Sequence, residues 1–180
     1  KERNIFLKFK KSYIGFTHAN FFGYKVQHGT YELQAKHTDA IRQVPFPDNI
    51  KAMRTFLGSA IFFKTFVPHF ATMAAPLHDM VKKDFNWSQE TWTEDYKAVF
   101  ERLIKHLAAA TTLHYPDYTL DWTLQVDASN IGVGGVLFQT IYDDNQPLQT
   151  PINQPLAYVS QKFSSQASRW STIEQEAYAI

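Results

Sequence analysis

Hydrophobic and polar positions alternate with period two in some stretches of the chain and with period near 3.6 in others. The spacing predicts strands at 5–9, 21–26 and 31–33, with a tight turn at His28-Gly29, where glycine accepts a positive φ. A short helix over 36–43 should be stopped by Pro45 and Pro47. The next helix starts behind Asp48 or Asn49 as N-cap and buries Ile50, Met53, Leu57 and Ala60/Ile61, running to Pro68. A further helix spans 70–83, entered through Ala74-Ala75-Pro76 and closed by Lys82-Lys83 at its negative pole. Thr91-x-x-Glu94 is a capping box for a helix that buries Tyr96, Val99, Phe100, Leu103 and Leu107.

After Pro116-Asp117 the apolar alternation Leu120, Trp122, Leu124, Val126 predicts a strand over 119–127 that ends at Asp127. A second strand covers 133–139. A polar loop over 140–154 holds Asp143 and Asp144, and a third strand covers 156–160. Ser171-x-x-Glu174 is a second capping box and opens a last helix.

Charge divides the chain. Residues 1–83 carry 13 Lys and Arg against 5 Asp and Glu, whereas 84–180 carry 5 against 12, so the net +1 is +8 set against −7. A basic first half is what a polyanion partner requires. There are no cysteines, which excludes disulfides and thiolate metal sites and suits an intracellular setting. No apolar run reaches the ~18 residues of a membrane span. Neither end reads as a natural terminus, and the expectation is a piece of a longer polyprotein.

Two acids stand out. By strand parity Asp127 shares a face with Thr123 and Gln125, away from Leu124 and Val126. In the last helix Glu174 has a natural role in the capping box, whereas Glu176 is spaced with Ile173 and Ile180 on the apolar stripe. A carboxylate aimed at a sheet is costly unless it is paired or bound to metal. A third feature is the row Arg54, Gly58, Phe62, where a mid-helix glycine between a cation and an aromatic allows close backbone approach.

The order of these words resembles the pol polyprotein of gypsy-type LTR retrotransposons and related retroviruses. Lys11-Ser-x-Ile with Phe21-Phe-Gly-Tyr24 resembles the end of a reverse transcriptase palm. Arg54-x-Phe-Leu-Gly58, Phe66-Val-Pro-His-Phe70, Ala75-Pro-Leu77 and Lys82-Lys83 resemble the thumb. Phe85-x-Trp87, Phe100-x-x-Leu103 and Tyr115-Pro-Asp117 resemble the connection. Val126-Asp-Ala-Ser129, Gly132-x-Gly-Gly-Val-Leu137, Pro155-Leu-Ala-Tyr158 and Ser171-Thr-x-Glu-x-Glu-Ala177 resemble the start of an RNase H domain.

The resemblance implies an α+β chain: palm strands over 1–34, a helical thumb over 35–83, a connection over 84–118, and a partial RNase H-like α/β domain over 119–180, with three antiparallel strands and the first helix. It implies an RNA-directed DNA polymerase with RNase H activity as parent, acting in the cytoplasm, nucleus or a virus-like particle. Its polymerase acids would lie outside this sequence, which has no YxDD-like motif. It implies that Asp127 and Glu176 are catalytic metal ligands, two of four acids that hold two Mg²⁺ ions. It also implies that Arg54, Gly58 and Phe62 track a duplex minor groove, that Phe22, Gly23 and Tyr24 form a primer grip, and that Lys51 and Lys64 meet phosphates of an RNA–DNA hybrid or DNA duplex. With two acids missing, the expected behaviour is duplex binding with little or no cleavage. Two alternatives are a host-retained binding module without chemistry and a non-functional relic. Ser12 where the family has Cys, and Phe63-Lys64 where it has an aromatic-Arg pair, depart from the pattern.

Overall fold

The computed structural model describes residues 8, 10, 12, 14–88, 94–142 and 151–180. The expected strand at 5–9, Thr91 of the first capping box, and Asp143 and Asp144 lie outside them.

Two antiparallel sheets and a helical layer make a mixed α/β fold. The first sheet has the order β1 (His18–Phe21), β2 (Tyr24–Gln27), β3 (Thr30–Leu33), β4 (Leu113–His114). The turn at Gly29 is present, with φ +74. The expected continuous strand over 21–26 is instead two strands, because Phe22 and Gly23 both take positive φ (45 and 88) and reverse the chain. Two successive positive-φ residues are what a tight two-residue hairpin turn demands. β4 pairs with β3 and so ties the segment after residue 108 back to this sheet.

Helix α1 (Ala35–Arg42) matches the expected element. Helix α2 (Ile50–Ala60) starts as expected: Asn49 accepts the Ala52 N–H through its side chain. Its buried stripe is Met53, Phe56, Leu57 and Ala60. Ile61 is exposed rather than core, because the chain tightens into a 3₁₀ turn at Ile61–Phe66, which rotates Ile61 outward and brings Phe63 and Phe66 into the core. The α-helix therefore ends before Pro68.

Helix α3 (Phe70–Asp79) contains Pro76 in its interior instead of entering at 74–76. Pro76 removes one i→i−4 hydrogen bond, which would disfavour the helix by ~3 kcal/mol in isolation. Burial of Phe70, Ala74, Ala75 and Leu77 offsets that cost. Helix α4 (Glu94–Ala108) buries Phe100, Leu103 and Leu107, with Tyr96 and Val99 packed at the edge, as expected. These helices share one core with β3 and β4 through Met53, Phe66, Leu77, Met80 and Leu113.

The second sheet has the order β5 (Thr123–Ala128), β6 (Gly132–Tyr142), β7 (Pro151–Lys162). β5 begins at Thr123, so Leu120 and Trp122 precede the strand. β6 and β7 reach further into the expected loop than its polarity suggested, up to Tyr142 and from Pro151. Pro151 and Pro155 fit because β7 is an edge strand and a bulge opposite Leu137/Phe138 relaxes the ladder beside Pro155.

Helix α5 (Thr172–Ala179) opens with the expected capping box, Ser171 and Glu174 bonding each other's backbone N–H. Its orientation differs from the expected one. Ile173 is 82% exposed and Ile180 99%, while Gln175 is 3% exposed and donates to the Ala167 carbonyl. The stripe carrying Glu176 therefore faces solvent. Side-chain amide bonding, which hydrophobic periodicity does not register, seats the opposite face.

Candidate functional site

The β1–β2 turn projects Phe21 and Phe22 into solvent, edge to face at 4.5 Å. Two bonds brace the turn from behind: the Gln34 N–H donates to the Gly23 carbonyl at 3.1 Å, and Gln34 Nε2 donates to the Tyr24 carbonyl at 3.1 Å. Tyr24 points back and stacks on Phe62, with ring centroids 5.1 Å apart and planes 22° apart. A Cβ on Gly23 would lie 3.0 Å from Phe62 Cζ and 3.1 Å from His37 Nε2. Thus the turn at 22–24 and the row ending at Phe62 meet at one point.

On α2, Arg54 and Gly58 lie on the exposed face, and no atom beyond the helix itself approaches the position of a Gly58 Cβ within 4 Å. Arg54 Nη2 donates to the Val81 carbonyl at 3.3 Å, which fixes its stem beside the loop after α3. Lys51 and Lys64 are exposed. His37 was not singled out by the sequence: its Nε2 is buried without a hydrogen-bond partner, between Gly23 and Phe62. Only the pairing of the β1–β2 turn with α1 reveals it.

Asp127 stands directly across from Gly134, and Gly134 from Ser160, so all three lie on one face of the second sheet. Helix α3 packs on that face: the Ala71 N–H donates to Ser160 Oγ at 2.9 Å. Asp127 lines a cavity of about 90 Å³ together with Gln125, Gly134, Tyr158, Pro68 and His69. Val126 also borders it, but the register, Gln125 across from Val136 and Asp127 from Gly134, puts Gln125 and Asp127 on one face as parity predicts. His69, the left-handed N-cap of α3 (φ 51), was missed because its approach to the sheet is a tertiary contact.

The same junction carries an ion pair. Lys162 at the end of β7 reaches Asp79 at 3.3 Å, and Lys82 reaches it at 2.8 Å. Burial pushes the Asp79 carboxyl up, but the hydrogen bonds and charges of Lys82 and Lys162 outweigh it and hold the carboxyl below its usual range. Burial, then the Lys162 charge, depress the neighbouring His78 imidazole, against a smaller opposing pull from Asp79.

Glu174 is held below the usual carboxylate range by the Ser171 backbone N–H and then the Ser171 hydroxyl, consistent with its capping role. Glu176 is exposed on α5, which packs against β5 and β6. Among the described residues, no three His, Asp or Glu side chains converge closely enough to hold a metal ion. Two carboxylates are fewer donors than a two-ion site uses. The described residues therefore do not make a complete Mg²⁺ site.

Residues 92–180 match the RNase H-like domain found in reverse transcriptase. Over 171 residues the chain is 30% identical to the Gag-Pol polyprotein of gibbon ape leukemia virus, covering 95% of this chain and 10% of that protein. Over all 180 residues it is 28% identical to the transposon Tf2-3 polyprotein of Schizosaccharomyces pombe, covering 13% of it. The chain thus spans about a tenth of the length of the curated relatives it matches. Its fold is similar to the foamy viral protease-reverse transcriptase solved with an RNA/DNA hybrid (TM-score 0.72, 21% identity, covering 94% of this chain and 22% of that one). The foamy viral protease-reverse transcriptase dRH, solved with double-stranded DNA, gives a TM-score of 0.71 at 20% identity, covering 90% of this chain and 27% of that one. Among the described residues no helix is long and apolar enough to cross a membrane. Residues 92–180 thus belong to the RNase H-like domain family found in reverse transcriptase, and nearly the whole chain is homologous to a segment of the pol polyproteins of retroviruses and of a yeast retrotransposon.

Proposed function

We propose that this segment is the duplex-gripping portion of a reverse transcriptase, joined to an RNase H-like unit that is catalytically incomplete within these 180 residues. The parts would be palm strands over 1–34, thumb over 35–83, connection over 84–118 and RNase H-like domain over 119–180. The observation that carries the reading is the meeting of Gly23 with Phe62, which joins the 22–24 turn to the Arg54–Gly58–Phe62 row. The result is one surface with exposed rings at one end, a bare backbone in the middle and Arg54, Lys51 and Lys64 alongside. A shallow minor groove of A-like form accepts such a surface: Gly58 lets sugars approach, Phe62 packs on them, and the cations meet phosphates.

Asp127 and Glu176 would be two carboxylates of the parent's metal site. In that parent, two Mg²⁺ ions would supply water activation and leaving-group stabilisation, with donors further to these two carboxylates. Here Asp127 offers one hard oxygen ligand at the mouth of the His69 cavity, and Glu176 a second on α5.

Fluorescence anisotropy with a labelled RNA–DNA hybrid, repeated across salt concentration, tests the binding half. The expected outcome is affinity that falls steeply with salt, and that drops with Arg54→Ala and with Gly58→Val. Binding that ignores both substitutions would remove the proposed surface. Gel analysis of the labelled RNA strand in Mg²⁺ tests the other half; efficient cleavage lost on Asp127→Asn would refute catalytic incompleteness.

A further inference from the structure

Where α1, α4 and the Lys51–Thr55–Ser59 edge of α2 adjoin, two apolar depressions lie side by side. The first, about 540 Å³, sits between the end of α1 and the exposed face of α4, with Val44, Phe46, Phe100, Ile104 and Ala108 in its wall. The second, about 630 Å³, runs between the Pro45–Pro47 segment and α2, past Ile41, Ala52 and Phe56. Val44 and Phe46 belong to both, so the two form one track divided by a low ridge. The ridge is firm: Phe46 packs edge-on against Phe100 at 5.3 Å, and prolines flank it on both sides.

The rim is cationic. Arg42, Lys97 and Lys105 border the first depression and Lys51 the second, against Glu101 and Asp48. Arg42 is held in place by donating from Nη2 to the Ala108 carbonyl at 3.2 Å, at the negative end of α4. Lys97 leans 3.2 Å from Glu94, but Lys105 makes no ion pair with a described residue. Four cations against three anions, Glu94 included, leave a positive rim around an apolar floor and favour a ligand that is both apolar and negatively charged.

We propose that this track is a docking site for an extended acidic peptide segment of a partner protein, with one apolar side chain in each depression. The divided floor selects two separate anchors, and the ridge at Phe46 suits an extended strand crossing it. A duplex lacks the protruding apolar groups that would fill the floor, and the track lies apart from the exposed rings of the Phe22 turn. This interaction goes beyond the duplex-gripping role and does not depend on it.

The test uses the full chain and a panel of fluorescein-labelled peptides. Each carries two phenylalanines separated by aspartate and glutamate runs of different lengths. Controls are the same peptides with lysine for every acid, and acidic peptides without phenylalanine. The expected result is saturable binding at one or two spacings only, absent in both controls. Lys105→Glu combined with Lys97→Glu should weaken it about tenfold. Because charge reversal on α4 could disturb the helix, Ile104→Glu serves as an independent variant on the half-buried wall, with circular dichroism confirming the fold of each. The proposal fails if no spacing binds, if lysine peptides bind equally, or if the variants leave affinity unchanged while folded. It also fails if binding tracks self-association of the chain in ultracentrifugation.

Discussion

Nδ1 of His69 lies 2.5 Å from where a Cβ on Gly134 would sit, so the imidazole of the α3 cap rests directly on the bare backbone of β6. The helical layer and the second sheet are therefore fitted to each other at atomic closeness, next to Asp127. Gly134→Ala should destabilise the chain by about 1–3 kcal/mol, because the ring must be displaced from a packed junction. Urea unfolding of Gly134→Ala, His69→Ala and the double variant checks this. The double variant should recover most of the loss, giving a coupling energy above ~0.5 kcal/mol. Additive effects would mean that His69 does not constrain Gly134.

The Asp79–Lys162 pair adds a pH-dependent fastening to the same junction. A carboxyl held below its unfolded value of 3.8 contributes stability above that value, and the contribution is lost as pH falls through the lower folded pKa. His78 acts in the same direction at higher pH. Its folded pKa is depressed from 6.5, so its contribution is present above 6.5 and declines as pH falls below it. Stability should thus fall in two acid steps, the first below pH 6.5 and the second below pH 3.8. Asp79 and Lys162 are partly exposed, so Lys162→Ala should cost only about 0–1 kcal/mol at neutral pH. Denaturant midpoints across pH check both steps: His78→Gln should flatten the first and Asp79→Asn the second.

How much of this could be read beforehand depended on the kind of contact involved. Helix α2, α4 and the cap at Ser171 follow from local periodicity and capping chemistry, and the chain obeys them. The face of β5 on which Asp127 lies is legible because strand parity is a local property. The α5 face is not, because a buried amide, Gln175, occupies the inward position that an apolar count assigns to Ile173. The double positive φ at Phe22-Gly23 was also hidden, since Phe22 offers no turn signal by composition and only the bracing by Gln34 makes the turn pay. His37 and His69 gain meaning only from elements distant in sequence that arrive beside them.

Gly23 gives a sharper test of the proposed duplex surface. With φ +88 and two side chains at the edge of contact, Gly23→Ala faces backbone strain and steric pressure together. A left-handed conformation costs a residue with a Cβ roughly 1–2 kcal/mol. The variant should lose about that much stability and should also loosen the Tyr24–Phe62 stack. Hybrid affinity should fall while peptide binding in the depression beside Ile104 is unaffected. Nuclear magnetic resonance shifts of the Phe62 ring protons, compared with those of Ile104, would separate a local change from a global one.

Gln139 offers the clearest stability prediction, because it is a buried polar group with every bond accounted for. It is 1% exposed on β6, accepts the Asp117 N–H at 2.9 Å through Oε1, and donates from Nε2 to the carbonyls of Asp117 and Leu120. It thereby pins the turn that delivers the chain into β5 and so to Asp127. Gln139→Leu keeps most of the volume but orphans one backbone donor and leaves two carbonyls without this partner, which should cost about 1–3 kcal/mol. Gln139→Glu should be worse near neutral pH, since a carboxylate cannot donate to either carbonyl and would meet them with like partial charge. It should regain part of the loss in acid, where a protonated carboxyl can donate once. Thermal unfolding of both variants at pH 7 and near pH 4 checks the order. Equal midpoints for Leu and wild type would show that the clamp contributes nothing beyond its packing.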